Sequence, residues 1–161
     1  MKSMWAPWRI EYILGEKQSK CIFCSAWSDP GELTLFRGKT TLVVMNKFPY
    51  TNGHLLVAPV RHVSGLDQLN TLEMTNLMQT IDKSIGILKK VMSPEGFNVG
   101  LNMGKAAGAG VEDHLHFHIV PRWFGDTNAL AVLADVRVIP EHLTVTCMNL
   151  KPYFDNLDLT V

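Results

Sequence analysis

His114-Leu115-His116-Phe117-His118-Ile119-Val120-Pro121-Arg122-Trp123 is the stretch on which the reading of this chain turns. Three histidines alternate with Leu115, Phe117 and Ile119. In a β-strand a period of two throws all three imidazoles to one face and the apolar side chains to the other. Such a strand has a core to lie on and chemistry to offer. Half of the six histidines of the chain fall in this run. Imidazole titrates closest to neutrality and can act as nucleophile, general base, general acid or metal ligand. The plain alternative is an alternating strand with exposed histidines, but clustered imidazoles more often have a function. The run points to an enzyme.

Immediately upstream lies Gly104-Lys105-Ala106-Ala107-Gly108-Ala109-Gly110, a loop almost without side chains. Small residues let backbone N–H groups converge on an anion, and imidazoles nearby can attack phosphorus or stabilise charge on its oxygens. Alone, a Gly/Ala run is more often a flexible loop. Joined to three histidines it becomes a candidate phosphate site.

Further out, residues 33–37 and 40–46 read as a hairpin around Gly38-Lys39, and 54–60 as a strand after the Asn52-Gly53 turn. Asn70-x-x-Glu73 has the form of a capping box. Leu72, Met78, Ile81, Ile85, Leu88 and Met92 recur behind it at helical steps, which predicts a helix over 71–92. Lys89 and Lys90 suit its C-terminal dipole, and Ser93-Pro94 stops it. Residues 97–102 read as a strand before the loop. A short strand over 136–139 is expected, then a helix with Pro140 in its first turn, running to about Phe154; Thr144-Val145-Thr146 would also suit a strand. Strands, one long helix, then strands again imply an α+β class: a five-stranded antiparallel sheet with helices on one face.

Lys plus Arg and Asp plus Glu each count 15, so no global field favours nucleic acid or an anionic membrane, and any phosphate must be held locally. The 47% hydrophobic and 19% charged composition is that of a globular protein, and one domain over 1–161 is expected. Residues 1–20 form a tryptophan-rich arm and 125–161 a C-terminal extension. Trp5 and Trp8 are expected to pack against the domain or a partner subunit, as is Trp123. No apolar run approaches the ~20 residues that span a bilayer, and the N-terminus lacks the apolar core of a signal peptide. Three cysteines make no disulfide framework, so a reducing cytoplasm is the expected compartment.

The run His114-Leu-His116-Phe-His118-Ile-Val120 resembles the histidine triad (HIT) family of nucleotide-binding proteins. Asn46 and Asn52-Gly53-His54-Leu-Leu-Val resemble the strand pair of that family, which carries a ribose-binding residue and a fourth histidine. Trp5-Ala-Pro-Trp8-Arg9, Gly96-Phe-Asn-Val-Gly-Leu-Asn102 and Pro121-Arg122-Trp123 resemble the branch related to diadenosine tetraphosphate phosphorylases. The likeness covers roughly residues 5–125. It implies a HIT-like fold and a homodimer joined edge to edge, with an adenine nucleotide as substrate. It implies His116 as the nucleophile that becomes covalently nucleotidylated, and His118 and His54 as donors to phosphate or leaving-group oxygens. Asn102 would then hold the α-phosphate, Asn46 the ribose, and the backbone of Gly108, Ala109, Gly110 and Val111 the phosphates. As turn formers, Asn46 and Asn102 also have the simpler role of ending strands. One departure stands out. Many members carry a glutamine or serine just before the triad, and here Gly108-Ala-Gly-Val-Glu-Asp113 has neither.

Cys21-x-x-Cys24 is half of a zinc site and needs two more ligands, for which His62 and His114 are candidates. Family members with an N-terminal Cys-x-x-Cys resemble this arrangement, which implies a structural zinc held by Cys21, Cys24, His62 and His114. A buried cysteine pair or a redox dithiol are the alternatives, the latter lacking a βαβ context. Cys147 is expected to pack in the core and His142 to lie exposed. Three functions compete: a nucleotidyl transferase or hydrolase (with an adenosine phosphoramidase as its variant), a zinc metallohydrolase using all three strand histidines, and a nucleotide-binding module with little turnover.

Overall fold

A computed structural model of the chain describes residues 20–126 and 138–159. Its centre is one antiparallel sheet of five strands: β1 (Thr34–Arg37), β2 (Thr41–Met45), β3 (Leu55–Pro59), β4 (Gly96–Leu101) and β5 (Phe117–Arg122), in the order β1-β2-β3-β5-β4. The last strand in sequence is thus inserted between two earlier ones. Three α-helices accompany it: α1 (Ile22–Ser28), α2 (Thr71–Met92) and α3 (Leu143–Asp155).

Strand alternation divides the apolar residues into two cores. Val43, Met45, Leu55, Val57 and Ile119 pack against Leu77, Ile81 and Leu88 of α2 and Cys147, Leu150 and Phe154 of α3. The even-numbered Leu42, Val44, Leu56 and Ala58 face the other way and enclose Phe23 of α1. The α+β class and five-stranded antiparallel sheet match the reading of the sequence, as do the two long helices on one face. The short α1 lies on the opposite face and had no periodic signal. Seven residues cannot form a stable helix alone, so tertiary contact holds it.

The capping box forms as read: Asn70 Oδ1 accepts the Glu73 N–H at 2.9 Å and Glu73 Oε2 accepts the Asn70 N–H at 2.9 Å. Of the stripe expected on α2, Ile81, Ile85, Leu88 and Met92 face the core and Leu72 and Met78 do not. Leu72 and Met78 are largely exposed, whereas Glu73, Asn76, Leu77, Thr80, Ile81, Ser84 and Leu88 face inward. The polar members are satisfied in part by one another: Thr80 shares a 2.8 Å hydrogen bond with Thr41 of β2, Ser84 donates to the Thr80 carbonyl, and Asn76 Nδ2 donates to Thr40.

The C-terminal reading needs correction. Residues 138–140 are not in a strand, and 136–137 lie outside the described residues, as do Trp5 and Trp8. The helix begins at Leu143 rather than at Pro140. Exposed His142 is its N-cap and its Nδ1 accepts the Thr144 N–H, so Thr144-Val145-Thr146 is helical and His142 has a partner. Cys147 is buried in the core, its thiol donating to the Glu32 carbonyl at 3.0 Å.

Candidate active site

The histidine run enters the sheet later than expected. The ladder begins at Phe117, so His114 and His116 precede the strand, although the alternation persists through them. Leu115 N–H donates to the Val63 carbonyl at 2.6 Å, which holds residues 114–115 beside the turn after β3. His118 pairs with Leu56 on β3 and with Gly100 on β4, on the sheet face that α1 covers. All three imidazoles are on this side, with adjacent ring centroids of His116 and His118 at 5.0 Å.

Hydrogen-bond partners fix what each ring can do. His116 Nδ1 is 2.8 Å from the His114 carbonyl, which can only accept, so Nδ1 carries the proton and Nε2 keeps a free lone pair. His54 Nδ1 accepts the backbone N–H of Tyr50 at 3.1 Å, so its proton is on Nε2, which donates to His118 Nδ1 at 2.9 Å. His118 therefore carries its own proton on Nε2. The result is one nucleophilic nitrogen and, on the neighbouring residue of the same face, one N–H donor. Among the described residues neither Nε2 has a hydrogen-bond partner.

Burial favours the neutral form of His116 and His118. It pushes His116 below the usual imidazole range, opposed by the bond to the His114 carbonyl, and it lowers His118 to about 4 with help from neighbouring His116. A neutral imidazole is the form that can attack. Tyr50 stacks on His118 with parallel rings 5.9 Å apart and also touches the His54 ring at 4.7 Å.

The expected contact of His54 with phosphate is corrected by the geometry. His54 is fully buried and both of its ring nitrogens are engaged, so what it touches directly is His118 and not the cavity. The turn that presents it requires glycine: Gly53 has φ +73°, and a Cβ there would lie 2.6 Å from Met92 Sδ. Asn46 ends β2 in a turn, its Oδ1 accepting the Phe48 N–H at 2.9 Å while Nδ2 lies 3.3 Å from His54 Nδ1. The turn-forming role expected of Asn46 is thus seen directly, and the same side chain touches the fourth histidine.

A cavity of about 1050 Å³ opens beside the rings, lined by His118, Asn102, Gly100, Asn98, Tyr50 and Trp123 among others. His118 and Asn102 are the predicted site residues in its wall; His116, His54 and Asn46 connect to His118 through ring contacts and hydrogen bonds, and the Gly108–Ala109–Gly110–Val111 segment does not line this cavity. Gly108 adopts φ +79°, a left-handed turn ending the short helical turn of Lys105–Ala107. Val111 packs onto the smaller core and anchors the end of the loop.

The four expected metal ligands converge. One donor atom each from Cys21, Cys24, His62 and His114 lies within 4.8 Å of all the others, and among the described residues this is the only such group. His114 Nδ1 is 3.2 Å from Cys21 Sγ and 3.7 Å from Cys24 Sγ, and His62 Nδ1 is 3.3 Å from Cys24 Sγ. Tetrahedral zinc with bonds of about 2.0–2.3 Å places neighbouring ligand atoms roughly 3.3–3.8 Å apart, so the spacing fits. The other nitrogen of His114 donates to the Pro59 carbonyl at 2.8 Å, the outer partner that ligating histidines commonly have. Burial, then the adjoining Cys21 sulfur, hold the Cys24 thiol above its ordinary range; a divalent cation is what would draw both sulfurs to thiolate. The turn carrying His62 is pinned by Arg61, whose guanidinium grips Glu73 with two bonds of 2.9 and 2.8 Å. That grip and the capping bond lower Glu73 to about 2.

This division of labour speaks against a catalytic metal held by three strand histidines, because only His114 faces the cysteines. Sequence reasoning missed Phe23 and Tyr50. Phe23 had a signal, an aromatic inside Cys-x-x-Cys; the Tyr50 N–H and the Pro59 and His114 carbonyls are backbone groups and had none.

A five-stranded antiparallel sheet carrying clustered imidazoles on one face has the architecture expected from the resemblance to the histidine triad family, and comparison with known proteins agrees. Residues 32–125 match the HIT domain, and the chain belongs to the HIT family. It is 39% identical over 157 residues to the AP-4-A phosphorylase of Mycobacterium tuberculosis, covering 91% of this chain and 80% of that one. It is 36% identical over 92 residues to the asymmetrical bis(5'-nucleosyl)-tetraphosphatase of Schizosaccharomyces pombe, covering 57% and 50%. A Zn-bound histidine triad family protein from Mycobacterium smegmatis shares the fold, with TM-score 0.68 over 84% of this chain and 94% of that one at 24% identity.

Proposed function

We propose that this protein transfers the nucleotidyl group of adenine dinucleoside polyphosphates, such as diadenosine tetraphosphate, through a covalent intermediate on His116. The observation that carries this reading is the 2.8 Å bond from His116 Nδ1–H to the His114 carbonyl, which leaves Nε2 as the only nucleophilic nitrogen of that ring. Nε2 attacks the α-phosphorus. The N–P bond forms as the P–O bond to the leaving nucleotide breaks, and the electron pair departs on that oxygen. The Nε2–H of His118 stabilises the departing oxygen by a hydrogen bond. In the second step an acceptor attacks phosphorus and the N–P pair returns to Nε2. Phosphate dianion attacks through an anionic oxygen and sheds no proton; water sheds one to solvent. Asn102 and the backbone around Gly108 hold the phosphates, and Asn46 the ribose. Phosphorolysis is the favoured outcome, given the strong likeness to a phosphorylase along most of the chain.

Incubation with diadenosine tetraphosphate, with and without phosphate, tests this. ADP and ATP in phosphate mark a phosphorylase, AMP and ATP a hydrolase. An acid-labile, base-stable phosphoramidate trapped on His116 marks the covalent route, and turnover of a P–N substrate alone would favour a phosphoramidase. Tight nucleotide binding without turnover would leave a binding module.

Zinc is the metal we assign to Cys21, Cys24, His62 and His114. The full set of four protein ligands makes it structural, since a catalytic zinc keeps a position open. A cytoplasmic homodimer completes the reading, with β4 as the pairing edge: it has one neighbour in the sheet, and Val99 at its centre is 45% exposed. No helix among the described residues is long and apolar enough to cross a membrane.

A further inference from the structure

The metal-ligand cluster and the nucleophile share more than a neighbourhood. His114 offers its ring to the cysteines and its carbonyl to His116 Nδ1, so one residue belongs to both sites. A second connection runs through a side chain with no chemistry of its own. Phe23 sits between the two cysteines in sequence, on the helix whose N-cap is Cys21. It is 1% exposed. Its ring centroid is 5.1 Å from that of His114, with planes at 51°, and 4.9 Å from that of His116, with planes at 37°.

The His116 ring is therefore held by three contacts: the His114 carbonyl at Nδ1, the His118 ring at 5.0 Å, and Phe23 at 4.9 Å. The hydrogen bond fixes one atom but leaves the plane free to rock about it. His118 belongs to the sheet, and Phe23 comes from outside it. Phe23 is seated in turn among Leu42, Val44, Leu56 and Ala58, which are buried and cannot yield without repacking.

We propose that Phe23 is a positioning residue for the nucleophile. Carried on the helix that the metal ligands anchor, it clamps the His116 ring so that Nε2 keeps a fixed line of attack and Nδ1–H keeps its carbonyl. The cysteine helix thus serves the chemistry as well as the fold. Rates depend steeply on such alignment, and a misplacement of about 1 Å can cost ~10²-fold.

The consequence rests on His116 as nucleophile, and the test separates the two ideas. In zinc-loaded protein, Phe23→Leu keeps most of the apolar volume but loses the ring face. We expect it to retain one zinc per chain by metal analysis and to bind nucleotide with unchanged affinity. Single-turnover formation of the His116 adduct should slow about 10- to 100-fold. Nitrogen-15 spectra of the histidines should show His116 leaving its single Nδ1–H tautomer for a mixture. A wild-type adduct rate and an unchanged His116 spectrum in the metal-loaded variant would overturn the proposal. So would loss of metal from both Phe23→Leu and Phe23→Met with full recovery on adding zinc, because Phe23 would then serve the metal site alone. If His116→Ala retained turnover, the nucleophile assignment would fail while the spectra still decided whether Phe23 orients the ring.

Discussion

At the scale of single residues, the proposed mechanism separates attack from assistance. His116→Ala removes the attacking atom, and activity should fall to background. His118→Ala removes a hydrogen bond to the leaving oxygen, help of a kind worth about 10²–10⁴ in rate, so slow turnover should remain. Steady-state kinetics on both variants checks this; equal, mild losses would defeat the covalent route. The low affinity of His118 for a proton also has a sign. Its folded value of about 4 lies below the ordinary 6.5, so below 6.5 the unfolded chain binds a proton that the folded chain refuses. Its contribution favours folding fully above 6.5 and is progressively lost as pH falls from 6.5 to about 4. Denaturant titrations across that window should show a shallower loss for His118→Gln, by up to one proton. Residue identities in this constellation were legible because alternation and cysteine spacing survive without coordinates. The tautomers were not, since backbone carbonyls and N–H groups of residues 50, 59 and 114 set them and a sequence does not display where its backbone goes.

Elements were legible in proportion to how locally they are determined. Both ends of α2 could be read because its cap is made by side chains three residues apart, and Ser93 adopts the left-handed conformation that closes it. Its apolar stripe is legible at Ile81, Ile85, Leu88 and Met92, whereas Thr80 and Ser84 are buried by hydrogen bonding, which a count of apolar residues overlooks. Helix α1 depends on what gathers around it: the smaller core and, on our reading, zinc. Cys24→Ala should therefore release the metal and lower the melting temperature by about 10 °C or more, since metal binding to such sites is folding free energy. A strong chelator should produce the same shift in the unmodified protein and none in the variant, as differential scanning calorimetry with metal analysis can establish. A chelator-insensitive melt would remove zinc from the account.

For the molecule as a whole, β4 is the exposed margin. If two copies pair there, Val99→Lys places like charges across the junction and should convert the dimer to monomer in sedimentation experiments, while leaving the fold of each copy intact. An unchanged sedimentation coefficient would place the contact elsewhere, or show the chain to be monomeric from the outset.

The strand order carries a last consequence, for how the molecule comes into being. β4 is made before β5, yet in the finished sheet it touches β5 and not β3. A ribosome that has delivered the chain only to residue 110 has produced Cys21 and Cys24, the long helix and four strands, with a slot where the fifth belongs. The strand that fills the slot brings His118, and the segment leading into it brings His114 and His116. Chemistry is thus installed by the same insertion that closes the sheet. A stalled or truncated chain is not a slow enzyme but a chain with none of its triad, and the first turnover by a new molecule announces that its sheet is complete.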